Sequence, residues 1–382
     1  MKISTILSEE NIIKATINTI FRFFKQNMMF TISAIAAVLT MFFVPPDKNY
    51  IGYFDFKTLV CLFCVLIIVR ALSAAELFSW LAGKLISLCG NLRSVTLILT
   101  FITLCGSLLI TNDMALLAFL PLGYYVLKQA KAEKYLAYLF IVLTMAANLG
   151  GMLTPFGNPQ NLYLFSFYSI DTLEFFKIML PPFAVSVALT IICCLPMPPV
   201  KIQNIAAPNT PDSRKITVYL LLFVIVILSI FRILPYPIAL IAPIIIAFFN
   251  RKTLREADYP LILTFCAFFV FSGNLSRIPA VETFLGDLVN QYTLLTSIGV
   301  SQIISNVPAA VLLSKFTDNY SQILLGVNIG GVGTPIASLA SLITIRYFIK
   351  YQPGKGLKFA KIFAILNLIF LAVLMQIFAV IL

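Results

Sequence analysis

Apolar runs long enough to cross a bilayer as helices follow one another along almost the whole chain. The pattern predicts spans at 28–44, 56–72, 173–195, 216–234, 236–249, 259–275 and 359–382, with shorter amphipathic pieces at 76–89 and 281–290. Four further runs carry a polar break. The run 94–127 is interrupted by "ITND" (110–113), 135–170 by "NLGGMLTPFGNPQN" (148–161), 292–315 by "ISNVP" (304–308) and 320–349 by "GGVGTP" (330–335). A membrane β-barrel would instead alternate over short segments. The pattern therefore predicts an all-α polytopic membrane protein. A polar connector, 196–215, divides it into two halves. Before the first span, residues 1–27 hold Ile6, Ile13, Ile17, Ile20 and Phe24 at helical spacing among Lys14, Arg22 and Lys25. They read as an amphipathic helix on the cytoplasmic surface. They lack the compact apolar core and small cleavage residues of a signal peptide.

Composition strengthens this reading. Hydrophobic residues make up 60% and charged residues 11%, against roughly 45–50% and about 25% in soluble domains. The net charge of +12 raises nucleic acid as a partner. In a membrane protein basic residues fix orientation instead, so no nucleic-acid partner is expected. With the N-terminus in the cytoplasm and the runs broken by "ITND" and "ISNVP" returning to the side they entered, 21 of the 27 Lys and Arg fall inside and 6 outside. Treating either run as a single crossing spoils that bias. The expected location is a bacterial inner membrane, with the C-terminus external. Arg232 and Arg277 fall near outer membrane ends, where snorkelling is expected; Arg277 is also a candidate for recruiting an anion. Asp55, Asp171 and Asp318 are expected in external loops, and Glu256 and Asp258 on the cytoplasmic side, all solvated.

The chain has no histidine, which excludes His-dependent hydrolases, His-ligated metals and haem. The seven cysteines sit in apolar runs, including "CLFC" (61–64) and "CC" (193–194), and read as small apolar side chains. No cofactor is expected. One intramembrane acid cannot form an aspartyl dyad, so an enzyme is not expected either.

The two halves repeat. "LLITNDMALLAFLPL" (108–122) is matched by "QIISNVPAAVLLSKF" (302–316), and "NLGGMLTP" (148–155) by "NIGGVGTP" (328–335). Under the charge-derived topology the first hairpin opens to the cytoplasm and the second outside, an inverted-topology repeat of the kind found in secondary transporters. The first repeat spans 28–195, with a hairpin at about 93–128 and a broken helix at about 135–170. The second spans 216–382, with a hairpin at about 291–316, a broken helix at about 320–349 and a last helix at 359–382.

Non-helical backbone survives in a bilayer only where protein or a watery cavity surrounds it. Gly151, Gly331 and their neighbours permit unwinding; Pro155 and Pro335 free a carbonyl one turn earlier. Freed carbonyls suit Na⁺, and the N-termini of resumed half-helices suit an anion. Asn112, Asn306, Thr111, Ser305, Asn158, Thr154, Thr334 and Ser338 are the candidate solute ligands. Asp113, Asn148, Gly151, Asn328 and Gly331 are the candidate ion-coupling residues. Two Na⁺ sites are expected, one at Thr111, Asn112, Asn148 and Gly151, the other at Ser305, Asn306, Asn328 and Gly331. A buried carboxylate is costly unless it takes a proton or meets a cation, so Asp113 is the candidate coupling group. The alternative is an acid that caps the following helix. Its counterpart is Val307.

At these residues the chain resembles the ion transporter superfamily, which includes divalent-anion:sodium symporters, citrate transporters, arsenite permeases and a class of sodium/proton antiporters. "TND" with "GGMLTPFGNPQN" and "SNV" with "GGVGTPIASLAS" carry the resemblance. It implies two re-entrant hairpins, two unwound helices, a homodimer and an elevator-like motion against a scaffold. Both tips of the dicarboxylate branch read Ser-Asn-Thr; here they read Thr111-Asn112-Asp113 and Ser305-Asn306-Val307. The expected function is secondary transport of a small anion, an organic di- or tricarboxylate such as citrate or an inorganic oxyanion or arsenite, coupled to Na⁺ or H⁺. A sodium/proton antiporter of the same fold and an ion channel are the alternatives.

Overall fold

Polar caps set where many of the helices begin. In a computed structural model, which describes residues 23–25, 27–202 and 210–381, the helices are α1 (Met28–Met41), α2 (Phe56–Ala74), α3 (Leu77–Ile86), α4 (Leu92–Ile110), α5 (Asn112–Gln129), α6 (Leu136–Gly150) and α7 (Pro159–Phe167). Next come α8 (Thr172–Ile192), α9 (Ser213–Ile230), α10 (Ile241–Phe249), α11 (Arg251–Arg255) and α12 (Tyr259–Leu275). The chain continues with α13 (Pro279–Gln291), α14 (Thr293–Ile304), α15 (Asn306–Leu313), α16 (Tyr320–Ile329), α17 (Leu339–Tyr351) and α18 (Gly356–Ile381). No β-strand occurs among the described residues. Seven helical stretches among them are long and apolar enough to cross a membrane. Most of the expected N-terminal amphipathic helix lies outside the described residues.

Three of the acids expected to be merely solvated are caps. Asp55 accepts from the Thr58 N–H at 3.0 Å, Asp171 from Leu173 at 2.8 Å and Asp258 from Leu261 at 3.1 Å. Each such cap contributes about 1 kcal/mol. Glu256 pairs with Arg70. Two expected spans come out shorter than read. α1 stops at Met41 because Val44 precedes Pro45 and Pro46, and a residue before proline is pushed out of helical geometry. The run 236–249 opens as a 3₁₀ turn, Tyr236–Leu240, beside Pro235 and Pro237, and leaves nine residues for α10.

By their contacts the described residues form two units. The smaller holds α1 and α12, joined where Asn274 Nδ2 donates to Thr40 Oγ1 at 3.1 Å and to the Tyr50 hydroxyl at 2.9 Å. Arg277 forks onto Asp47 at 2.7 and 3.2 Å and donates to the Tyr53 hydroxyl at 2.8 Å. The guanidinium holds the Asp47 carboxyl below its usual range, and the carboxylate raises the guanidinium in turn. Arg277 is thus committed to a carboxylate partner.

The larger unit holds the four broken runs. α4 and α5 form a tight hairpin: a Cβ on Gly106 would meet Phe119 at 3.0 Å, and one on Gly123 would meet Leu99 at 3.7 Å. α14 and α15 form the second hairpin, with Asn290 Nδ2 donating to the Phe316 carbonyl across its open end at 3.3 Å. Each hairpin lies against a broken helix through small residues. Gly150 of α6 touches the Leu104 backbone, and Gly326 of α16 and Gly330 just past its end touch Ser297 and Ser301. Contacts also tie helix ends together: Arg93 Nε donates to the Met197 carbonyl at 2.7 Å, Tyr124 stacks on Tyr351 at 3.9 Å, and Tyr168 donates to the Thr317 carbonyl at 2.6 Å.

Arg232, expected to snorkel, closes the C-terminus of α7. Its NH2 donates to the Phe165 carbonyl at 2.6 Å, and its NH1 to those of Ser169 and Ile170 at 3.1 and 3.0 Å. Its guanidinium also lies 4.7 Å from the Phe165 ring. Bonds to a charged donor contribute more than neutral ones. Arg232→Ala is expected to destabilise the protein by about 2 kcal/mol, read as a lower melting temperature in detergent. Arg232→Lys is expected to recover less than half of that, since an ammonium cannot fork over three carbonyls.

Candidate functional site

Both hairpin tips are strained in the same way. Thr111 lies at φ 75°, ψ 148° and Ser305 at φ 80°, ψ 153°, a region natural to glycine that costs other residues about 1–3 kcal/mol. The next residue in each case is an asparagine whose N–H donates into the break of its own half: Asn112 to the Gly157 carbonyl at 3.3 Å, Asn306 to that of Ala337 at 2.9 Å. The asparagine Oδ1 then accepts the following N–H, Asp113 at 3.0 Å and Val307 at 2.9 Å. The threonine of each T-P pair reaches back to the hairpin: Thr154 Oγ1 donates to the Leu108 carbonyl at 2.8 Å, Thr334 Oγ1 to that of Gln302 at 2.9 Å. Equivalent residues thus make equivalent bonds in the two halves. Thr111→Gly is expected to raise stability by about 1 kcal/mol, because relief of the strain exceeds the entropic penalty of glycine. An unchanged or lower melting temperature would contradict the strain.

The breaks fall between α6 and α7 and between α16 and α17. Buried amides join them. Asn148 Oδ1 accepts from Asn112 Nδ2 at 3.0 Å, and its Nδ2 donates to the Gly331 carbonyl at 3.2 Å and to Ser338 Oγ at 3.0 Å. Asn158 Nδ2 donates to the Asn148 carbonyl at 3.2 Å and to Asn328 Oδ1 at 3.1 Å. Asn328 also accepts from Gln160 Nε2 at 3.3 Å and donates to Asn161 Oδ1 at 2.6 Å. Asn112, Asn148, Asn158, Asn306, Asn328 and Ser338 are all at most 4% exposed. Gly151 and Gly331 press against this cluster: a Cβ there would lie 2.2 Å from Asn158 Oδ1 and 2.8 Å from Asn306 Nδ2 respectively.

Every candidate site residue read from the sequence therefore belongs to one connected region. Asp113 stands half-buried in the first turn of α5. Thr154 and Thr334 are half-exposed, with their hydroxyl hydrogens committed to hairpin carbonyls. Sequence reasoning missed Gln160, Asn161, Gln302 and Ser341. Asn161 Nδ2 donates to the carbonyls of Gly151, Met152 and Thr154 at 3.3, 3.0 and 3.1 Å. Ser341 Oγ lies 2.8 Å from Ser338 Oγ. The first two sit inside the quoted first break and Gln302 opens the "QIISNVP" match, so the signal was present in residue type.

Around this cluster four helices begin (α5, α7, α15 and α17) and four end (α4, α6, α14 and α16). Helix starts carry about half a positive charge and helix ends about half a negative one. Such a centre offers N–H groups to an anion and carbonyls to a cation, with neutral amides between. The sequence profile described as Citrate transporter (CitMHS) matches residues 44–324. The chain belongs to the citrate transporter family. The resemblance read from the two paired motifs thus holds at the level of the family and its superfamily. Over 326 residues this citrate transporter family member is 35% identical to an uncharacterized transporter of Methanocaldococcus jannaschii, covering 85% of this chain and 90% of that protein. Over 333 residues it is 27% identical to the inner membrane protein YbiR of Escherichia coli, covering 85% and 89%. Family and long apolar helices together make the chain a membrane transporter.

Proposed function

We propose that the chain is a secondary active transporter that carries a small anion, coupled to Na⁺ or H⁺. The anion is an organic di- or tricarboxylate such as citrate, or an inorganic oxyanion or arsenite. The observation that carries this reading is the junction itself: two strained tips, each bonded to the break of its own half, and two breaks cross-bonded through Asn148, Asn158 and Asn328. Asn112, Asn306, Asn158 and Ser338 with the starts of α5, α7, α15 and α17 would hold the anion. Thr111, Asn112, Asn148 and Gly151 would hold one cation; Ser305, Asn306, Asn328 and Gly331 would hold a second. Neutral ligands let cargo leave again, which a transport cycle requires. The two halves form an inverted repeat in this reading, and the hairpins with their broken helices move as one block in an elevator step. The small-residue packing of α4 on α6 and of α14 on α16 supports such a block. The protein works as a homodimer in the inner membrane, N-terminus inside and C-terminus outside.

Uptake into proteoliposomes tests the proposal, with labelled citrate, C4-dicarboxylates, phosphate, sulfate and arsenite under an imposed Na⁺ or pH gradient. Accumulation of one of them above its external concentration, dependent on that gradient, is the expected result. Flux that only dissipates a solute gradient would identify a channel. The acid at one tip alone, Asp113 against Val307, favours a second reading, a sodium/proton antiporter. It would alkalinise or acidify vesicles on Na⁺ addition with no solute present.

A further inference from the structure

The two halves match at their tips and differ in what holds each break in shape. In the second half Gln302, on α14 just before the tip, lies across residues 330–334. Its Nε2 donates to the Gly330 carbonyl at 2.7 Å and to that of Val332 at 3.2 Å, while its Oε1 accepts the Thr334 N–H at 2.8 Å. Gly333, at φ +136°, leaves the space of its missing Cβ to that same amide oxygen, 2.1 Å away. In the first half the matching position is Leu108, which has no polar side-chain atom. There the clasp comes from the broken helix itself, through the three carbonyl bonds of Asn161 on α7. The carbonyls of residues 151, 152 and 154 are therefore gathered by a side chain of the broken helix itself, although Asn112 and Thr154 also tie the first break to its hairpin. The second is held by a residue of the hairpin.

We propose that Gln302 is the positioning residue of the second cation site, and that this site forms only while the hairpin α14–α15 is docked. A carbonyl has two lone pairs, so Gly330 and Val332, on either side of the Gly331 assigned to that site, can accept the Gln302 amide and still face a cation. If the hairpin tip lifts off the break in a step separate from the block's movement, their arrangement goes with it. Cation binding in the second half and hairpin closure then favour each other by the same factor, whereas the first-half carbonyls keep their Asn161 clasp in both states. The inference rests on the reading of the centre as a cation and solute site.

The test uses the full-length wild type, Gln302→Leu, which copies the residue of the other half, Gln302→Glu and Asn161→Ala. Hydrogen exchange is followed in peptides covering 330–338 and 151–158, and uptake is followed against Na⁺ concentration and pH. Gln302→Leu is expected to speed exchange in 330–338 by about tenfold or more with 151–158 unchanged, and to raise the cation concentration for half-maximal uptake by about tenfold, as loss of three bonds to one amide implies. Asn161→Ala is expected to reverse the exchange pattern. Gln302→Glu keeps the acceptor for Thr334 and regains a donor once protonated, so its exchange and cation affinity should recover as pH falls. Equal loosening of both breaks, or an unaltered 330–338 segment, overturns the clasp. Unchanged cation affinity in Gln302→Leu, with a cation-dependent wild type, overturns the coupling. Cation-independent uptake by the wild type would instead sink the functional reading, while exchange still reports on the clasp.

Discussion

Asn328→Leu is expected to abolish gradient-driven uptake and to destabilise the fold by about 4 kcal/mol. The side chain is 1% exposed and makes four bonds. It accepts from Asn158 and Gln160 and donates to Asn161 Oδ1 and to the Leu324 carbonyl, the last at 2.7 Å. Leucine has the same branched heavy-atom skeleton and is larger, so the change creates no cavity. It takes the Asn328 oxygen from the Gln160 amide and the Asn328 donor from Asn161 Oδ1, each at about 1–3 kcal/mol for a buried group without water. It also cuts the link between the first break and α16. Asn367→Leu is the control. Asn367 is equally buried, but among the described residues its amide bonds only the Phe363 carbonyl of its own helix, so a loss of about 1 kcal/mol and normal uptake are expected. Thermal melts and uptake of the two variants side by side separate loss of the centre from loss of any buried asparagine. Wild-type uptake in Asn328→Leu would mean that the cross-bonded centre is not where cargo passes.

Much of this centre was legible because its local chemistry conflicts with its surroundings. Glycine, proline and asparagine inside long apolar runs have no place in an uninterrupted membrane helix, and their duplication marked Asn112, Asn148, Asn306 and Asn328 together. The same method was blind where the halves differ. Gln302 stands opposite Leu108, and Asn161 opposite Ser341, so comparing the halves passed over both clasps. Their partners are fixed by the crossing of chain segments: Gln302 reaches residues some thirty positions on, and Asn161 meets Asn328 from the other half. Helix ends failed for a simpler reason. Hydrophobicity marks what can lie in a membrane and says little about where a helix stops, which Pro45, Pro46 and Pro235 decide at α1 and before α10. Polarity alone marks the acids at 55, 171 and 258 as solvated, although their spacing to the following helix fits a cap.

Asp113→Asn is expected to uncouple transport while leaving the fold intact. Across the hairpins and broken helices, residues 92–129, 136–167, 293–313 and 320–351, Asp113 is the sole acidic residue. It occupies the first turn of α5, one residue beyond the asparagine that ties the tip to the first break. The helix start stabilises a carboxylate there by about 0.3–1 kcal/mol. Asparagine keeps the shape and an acceptor oxygen at that place, so stability should change by less than about 1 kcal/mol. What it loses is the charge and the proton. A dianion entering beside an ionised Asp113 is repelled, so the carboxyl must be neutralised, by H⁺ or by a cation, before the anion is held. The variant removes that requirement. It should bind anion as tightly as the wild type or more so, lose the dependence of uptake on pH or Na⁺, and let solute equilibrate without accumulating. The measurement is solute accumulation in proteoliposomes over a range of pH, with and without a Na⁺ gradient. If Asp113→Asn still concentrates its solute with the pH and Na⁺ dependence of the wild type, the coupling ion is bound elsewhere and Asp113 serves only the start of its helix.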